Sequence, residues 1–171
     1  MKFKSASICA GVLLFALSTS AWSQFAAVEE PEWKESDLPP PPAFDVGKLV
    51  SFDVSPNSSL VYGVDPASIS ITQSDGVVRY VMVATSASGA RNVMYEGIRC
   101  STGEFKTYAR YSGEGTWTSV SNPEWRSMFG NLPSKHALRL AKAGACDNAA
   151  PAISVKEMVS RLKNPNYRVT P

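Results

Sequence analysis

The chain has 171 residues, 44% of them hydrophobic and 19% charged, with a formal net charge of +2. That is the composition of one globular domain. It excludes collagen-like, disordered and polytopic membrane classes, because there is no biased repeat and no second long apolar run. Residues 1–23 read as a signal peptide. Lys2 and Lys4 precede an apolar run from Ile8 to Leu17, and Ala21-Trp22-Ser23 offers a cleavage site before Gln24. The run is short for a spanning helix, which needs about 20 residues. The expectation is export to the periplasm, loosely associated with the envelope, with no transmembrane anchor after cleavage. Cleavage leaves 15 basic and 15 acidic residues, a net charge of zero that argues against a nucleic-acid partner.

Residues 24–44 form an acidic, proline-rich arm with Glu29, Glu30, Glu32, Glu35 and Asp37 ahead of Pro39 to Pro42. Consecutive prolines enforce an extended chain without internal hydrogen bonds, so the arm is expected to lie along its own domain, anchored by Trp33. Charge favours that placement: residues 24–75 carry −7 and residues 76–171 carry +7. Residues 45–171 read as a single domain. Short β-prone runs at 49–54, 60–64 and 68–72 lead to Asp75-Gly76, the strongest hairpin signal in the chain. Strands are then expected over 77–85, 91–100, 105–111 and 116–120. Ser134 is placed to cap a helix over 135–143, with Gly144 as its stop. Ser154 opens a capping box for a helix to Lys163, ended by Asn164-Pro165. Strands first and helices last predict an α+β fold, an antiparallel sheet of about five or six strands with the C-terminal helices packed on one face.

Two cysteines, Cys100 and Cys146, remain after cleavage. In an oxidising compartment a disulfide is the default, and a catalytic or metal-binding thiol gains no support from one histidine and no CxxC spacing. Metal ligands of the usual types at the usual spacing are missing, and no cofactor motif is present. Ser160-Arg161-Leu162-Lys163 matches SxxK at a frequency expected by chance, and no GxSxG elbow accompanies His136.

Turn symmetry predicts the strand faces. A loop centred on Ser88 pairs Val78 with Ile98, Tyr80 with Glu96 and Met82 with Met94. A symmetric loop over 101–104 sets Phe105 opposite Cys100 and Ala109 opposite Glu96. One face is then apolar (Val78, Tyr80, Met82, Met94, Ile98, Cys100, Phe105, Ala109 and Tyr111) and carries Glu96. Burial of that carboxylate demands a partner, and His136 or Arg139 on the following helix is expected to supply it, with Tyr80 as a third member. The other face carries Arg79, Arg99, Lys106 and Arg110 with Tyr95 and Tyr108, a combination that suits an anionic envelope component or an acidic protein surface. The bland alternative is that these cations simply solvate the face or meet the acidic arm.

The stretches Asp75-Gly76-Val77-Val78-Arg79-Tyr80 and Ser88 to Cys100, the latter ending in Tyr95-Glu96-Gly97-Ile98-Arg99-Cys100, resemble the CNP-one-like family of small exported proteobacterial proteins. Trp33-Lys34-Glu35, Leu38-Pro39, Val64-Asp65, Trp125, the Asn131-to-His136 stretch and Cys146 extend the resemblance over most of the mature chain. Before Cys146 this chain has Gly144-Ala145 where the family has an aromatic residue. The resemblance implies an envelope location and an α+β domain, and supplies no catalytic residues. The resulting expectation is a non-enzymatic binding or structural component of the envelope, with a small hydrolase acting on an envelope polymer as the alternative.

Overall fold

Turn chemistry sets up the sheet. Gly76 and Gly89 take φ of +67° and +84°, a region glycine enters without a steric cost, and each sits at a reversal into or out of a long strand. The computed structural model describes residues 32–164. The expected signal peptide, Glu29, Glu30 and the helix-ending Pro165 lie outside the described residues. In chain order the elements are β1 (Val50–Phe52), β2 (Leu60–Val64), β3 (Ser70–Thr72), β4 (Val77–Ser86), β5 (Arg91–Arg99), β6 (Glu104–Tyr111), β7 (Trp117–Ser119), β8 (Arg126–Ser127), α1 (His136–Leu140), β9 (Cys146–Asp147), β10 (Ala150–Pro151) and α2 (Val155–Lys163).

The fold is α+β. One antiparallel sheet has the order β1-β2-β4-β5-β6-β7, with β3 on the same edge of β4 as β2, and β8 beside β6. The first eight residues of β4 are all buried, because both faces of the sheet are covered. On one face Tyr80, Met82, Ile98 and Phe105 pack against Leu140 and Met158 from the helices. On the other, Val81, Val83, Val93, Tyr95 and Ala109 lie under Phe44 and Trp117. Among the described residues no helix is long and apolar enough to cross a membrane.

The β4–β5 register pairs Val78 with Ile98, Tyr80 with Glu96 and Met82 with Met94, as turn symmetry predicts. The β5–β6 register differs from expectation. Ile98 pairs with Phe105 and Glu96 with Thr107, and the ladder then shifts by one so that Tyr95 faces Ala109. Tyr108 is the extra residue of a β-bulge, which reverses the phase of every later side chain in β6. Ala109 and Tyr111 therefore join the second face, not the apolar face expected for them. Arg110 moves the other way, opposite Met94, with its Nη1 donating to the Met94 sulfur at 3.0 Å.

The first C-terminal helix is also shorter than predicted. It covers His136–Leu140, and the chain then opens into a wider π-type turn over Ala141–Ala145. Lys135 stands at the N-cap position, while Ser134 turns its hydroxyl to His136. A Cβ at Gly144 would lie 2.9 Å from Arg161 Cβ and 3.0 Å from the Met158 carbonyl oxygen. The bare glycine lets α2 sit directly on this turn, and Ala145 beside it is fully buried. Helix α2 begins as its capping box predicts, with the Ser154 hydroxyl accepting from Glu157 N at 3.2 Å. Cys100 and Cys146 are bonded, with Cα atoms 5.7 Å apart, fastening the end of β5 to β9.

Candidate functional site

Alternation along β5 divides the polar chemistry into two groups on opposite faces of the sheet. On the helix face, Glu96 is fully buried, and its carboxylate has three side-chain partners. Oε2 accepts from the Tyr80 hydroxyl at 3.2 Å and meets His136 Nε2 at 2.8 Å, while Oε1 accepts from Thr107 Oγ1 at 2.9 Å. The opposite ring nitrogen, Nδ1, is 3.0 Å from Ser134 Oγ, which is itself 3.3 Å from the Tyr62 hydroxyl. The imidazole stacks on Tyr62 and meets Phe105 edge-on. Burial, then the adjacent Glu96 carboxylate, pushes the Tyr80 phenol well above its ordinary value, so it stays a donor. The structure brings Glu96, His136 and Tyr80 together. Arg139 is left out, exposed to solvent on α1, because Tyr80, Thr107 and His136 already occupy the carboxylate. Thr107 and Ser134 were not foreseen, since one depends on a turn over 100–103 in place of 101–104 and the other was assigned to capping.

On the opposite face, the arm crosses the expected ligand face. Arg79, Arg99, Lys106, Tyr95 and Tyr108 are all on it, and Arg110 is not. The Arg79 side chain is only 1% exposed, and it is fixed from below. Nη2 donates to Asp75 Oδ2 at 2.8 Å and Nη1 to Thr72 Oγ1 at 2.9 Å. Asp75 also accepts from the backbone N–H of Val77 at 3.0 Å and of Ser36 at 2.9 Å. Burial opposes its ionisation, but the Arg79 hydrogen bond and these amides prevail and hold Asp75 below the usual aspartate value of 3.8.

Glu35 enters this frame from the arm. Its carboxylate accepts from Lys106 Nζ at 2.6 Å, Tyr108 OH at 2.6 Å, Trp125 Nε1 at 3.2 Å and Arg79 Nη2 at 3.5 Å. Burial would raise its pKa, yet the hydrogen bonds from Lys106 and Tyr108 and the charges of Lys106 and Arg79 bring it below the ordinary glutamate value of 4.5. Burial and the neighbouring Glu35 charge drive the Tyr108 phenol upward, so it too remains a donor. Two residues earlier, Trp33 lies under the Arg99 guanidinium, 3.7 Å from its carbon to the ring centroid, and donates from Nε1 to the Asp75 carbonyl at 2.8 Å. Gly97 makes room for the Tyr108 ring: a Cβ there would sit 2.9 Å from Tyr108 Cε2.

Asp75 and Trp125 were missed as site residues. The sequence signal for Asp75 was its hairpin position, where an aspartate commonly accepts from the amide two residues on. For Trp125 there was no local signal. A third feature, a cleft of about 890 Å³, opens beside the disulfide and is lined by Phe52, Met128, Phe129, Arg139 and Lys142 among others. Neither carboxylate group borders it. Among the described residues no three His, Cys, Asp or Glu side chains come together to hold a metal ion.

A family model described as the CNP1-like family matches residues 28–163, which includes the arm pocket, the buried histidine and the disulfide. The chain belongs to the CNP1-like family. A relative, "Cryptic neisserial protein 1" of Neisseria gonorrhoeae (strain ATCC 700825 / FA 1090), is 29% identical, with 82% of this chain and 76% of the relative covered. No solved structure matches the chain. In this CNP1-like protein the run Tyr95-Glu96-Gly97-Ile98-Arg99-Cys100 serves both faces. Tyr95, Gly97 and Arg99 face the arm, and Glu96, Ile98 and Cys100 face the helices.

Proposed function

We propose that this CNP1-like protein is exported to the periplasm and acts in the bacterial envelope as a binding or structural component, without catalysing a reaction. The observation that carries the binding role is the Glu35 pocket, where Lys106, Tyr108, Trp125 and Arg79 converge on one carboxylate. Convergent charged donors of this kind recognise carboxylates with geometric specificity. Export is supported by the leader-like residues 1–23 and by the Cys100–Cys146 bond, which belongs to an oxidising compartment.

A small hydrolase acting on an envelope polymer is the second reading, favoured by the line Ser134–His136–Glu96. Its weakness is access. His136 is buried between the rings of Tyr62 and Phe105, and the cleft beside the disulfide does not reach it. Intact-mass analysis of the protein recovered from a periplasmic fraction tests the export reading. Loss of residues 1–23 and of two hydrogens is the expected result; a precursor mass, or two alkylatable thiols without reduction, overturns it. Envelope-polymer hydrolysis abolished by Ser134→Ala would replace the binding role with the second reading.

A further inference from the structure

The segment Trp33–Ser36 is held as a bound peptide would be. Trp33, Glu35 and Ser36 make its side-chain hydrogen bonds and its amide bond to Asp75. Beyond Ser36 the chain loosens its hold: Leu38, Pro39 and Pro40 are exposed, and the next aromatic anchor is Phe44 against Tyr111 and Trp117. An extended proline spacer forms no hydrogen bonds of its own, so the segment is tethered to the sheet and not continuous with it.

The receiving side is assembled from the domain alone. Asp75 and Thr72 orient Arg79, Gly97 seats Tyr108, and Lys106 lies 4.8 Å from the centroid of the Trp125 ring. Asp75 balances one of the two cations, Arg79 and Lys106, which leaves the pocket short of one negative charge. A neutral or cationic occupant would leave a half-buried cation unpaired, a costly arrangement. Arg99, positioned over Trp33, adds a preference for an aromatic ring.

We propose that this pocket is a recognition site for an acidic peptide segment of a partner protein, one with an aromatic residue two positions before a carboxylate, and that Trp33-Lys34-Glu35 is its built-in competitor. The inference rests on the reading of the protein as a binding component and names the chemistry of the partner. A tether on the same chain presents its segment at a high effective concentration, so a partner peptide meets a pocket already occupied. Affinity in trans is then weakened by the ratio of that concentration to the segment's own dissociation constant.

The probe is a fluorescently labelled peptide with the sequence of residues 32–38, titrated into the full exported chain by fluorescence anisotropy. Trp33→Ala with Glu35→Gln removes the competitor and keeps the whole receiving side. The peptide is expected to bind this variant at least tenfold more tightly than it binds the unaltered protein. A probe with glutamine at the position of Glu35 should lose at least tenfold in affinity. If the double variant does not fold, Trp33→Ala alone is measured, with a smaller gain in the same direction. Equal affinity for altered and unaltered protein, absence of binding to the folded variant, or indifference to the glutamine probe overturns the proposal. These results are distinguishable from a failure of the binding-component reading itself, which falls if Ser134→Ala abolishes an envelope-polymer hydrolysis.

Discussion

Two carboxylates, Glu96 and Glu35, lie on opposite faces of one sheet, and each has several hydrogen-bond partners. The first is fully buried and takes its partners from β4, β6 and the start of α1. The second has 19% of its side chain exposed and belongs to a tethered arm. Glu96 can lose its partners only if strands and helix separate, so its contribution belongs to global stability. Glu35 is carried on the arm and belongs to no strand or helix, so its contribution belongs to the docking of that segment. The number of hydrogen bonds does not decide whether a contact is structural or exchangeable; the connectivity of the donors and acceptor does.

The disulfide belongs to the helix side of that contrast, and its loss gives the largest expected effect. Its loop spans 46 residues of sequence separation, and replacing both cysteines by serine should cost about 4 kcal/mol in urea unfolding. Glu96→Gln comes next, at about 3 kcal/mol, because His136 would keep a buried position without its charged partner. A Glu96→Gln variant with an unchanged urea midpoint would place the two carboxylates in the same class and dissolve the distinction. Gly97→Ala should cost about 1–3 kcal/mol by overpacking against Tyr108, and should also speed hydrogen exchange at the Ser36 amide as the arm is displaced. Glu35→Gln sharpens the contrast from the other side. It should accelerate exchange at Ser36 while changing global stability by only about 1 kcal/mol.

Acid should release the arm before it unfolds the sheet. Glu35 and Asp75 both titrate below their ordinary values of 4.5 and 3.8 in the folded protein. A depressed carboxylate contributes stability that is complete above its unfolded value and is lost as pH falls through its lower folded value. Docking of the arm should therefore be unchanged near neutral pH and weaken only below the ordinary carboxylate range, as read by exchange at Ser36. Weakening that begins near neutrality would point to a group other than these two.

The α+β class, the long strands and the β4–β5 register were legible because local signals carry them: Asp75-Gly76, a Gly89-bearing turn and strict alternation of side chains. Register between β5 and β6 was not, because nothing in Glu104–Tyr111 announces that Tyr108 is an extra residue. That one residue makes Arg110 and Ala109 exchange faces, while Thr107 meets Glu96 because the turn runs over 100–103 and not 101–104. The charge asymmetry of the chain suggested an arm against a basic half, but not which acid would dock. Glu35 is selected by donors at positions 79, 106, 108 and 125, whose convergence is a product of the tertiary fold and leaves no trace in the spacing. Likewise, the length of α1 was overestimated because nothing ahead of Gly144 announces that the helix widens into a π-type turn from Ala141.

The order of strand lengths across the sheet has its own consequence. The long strands β4, β5 and β6 are interior, while β1, β3, β7 and β8 have two or three residues each. A rim this short offers an incoming strand few unpaired amides and carbonyls, too few to template growth from one molecule to the next. The protein is thereby guarded against amyloid-like edge addition. Its long strands meet coverings on both faces, the helices on one and the arm on the other, and its margins are left short.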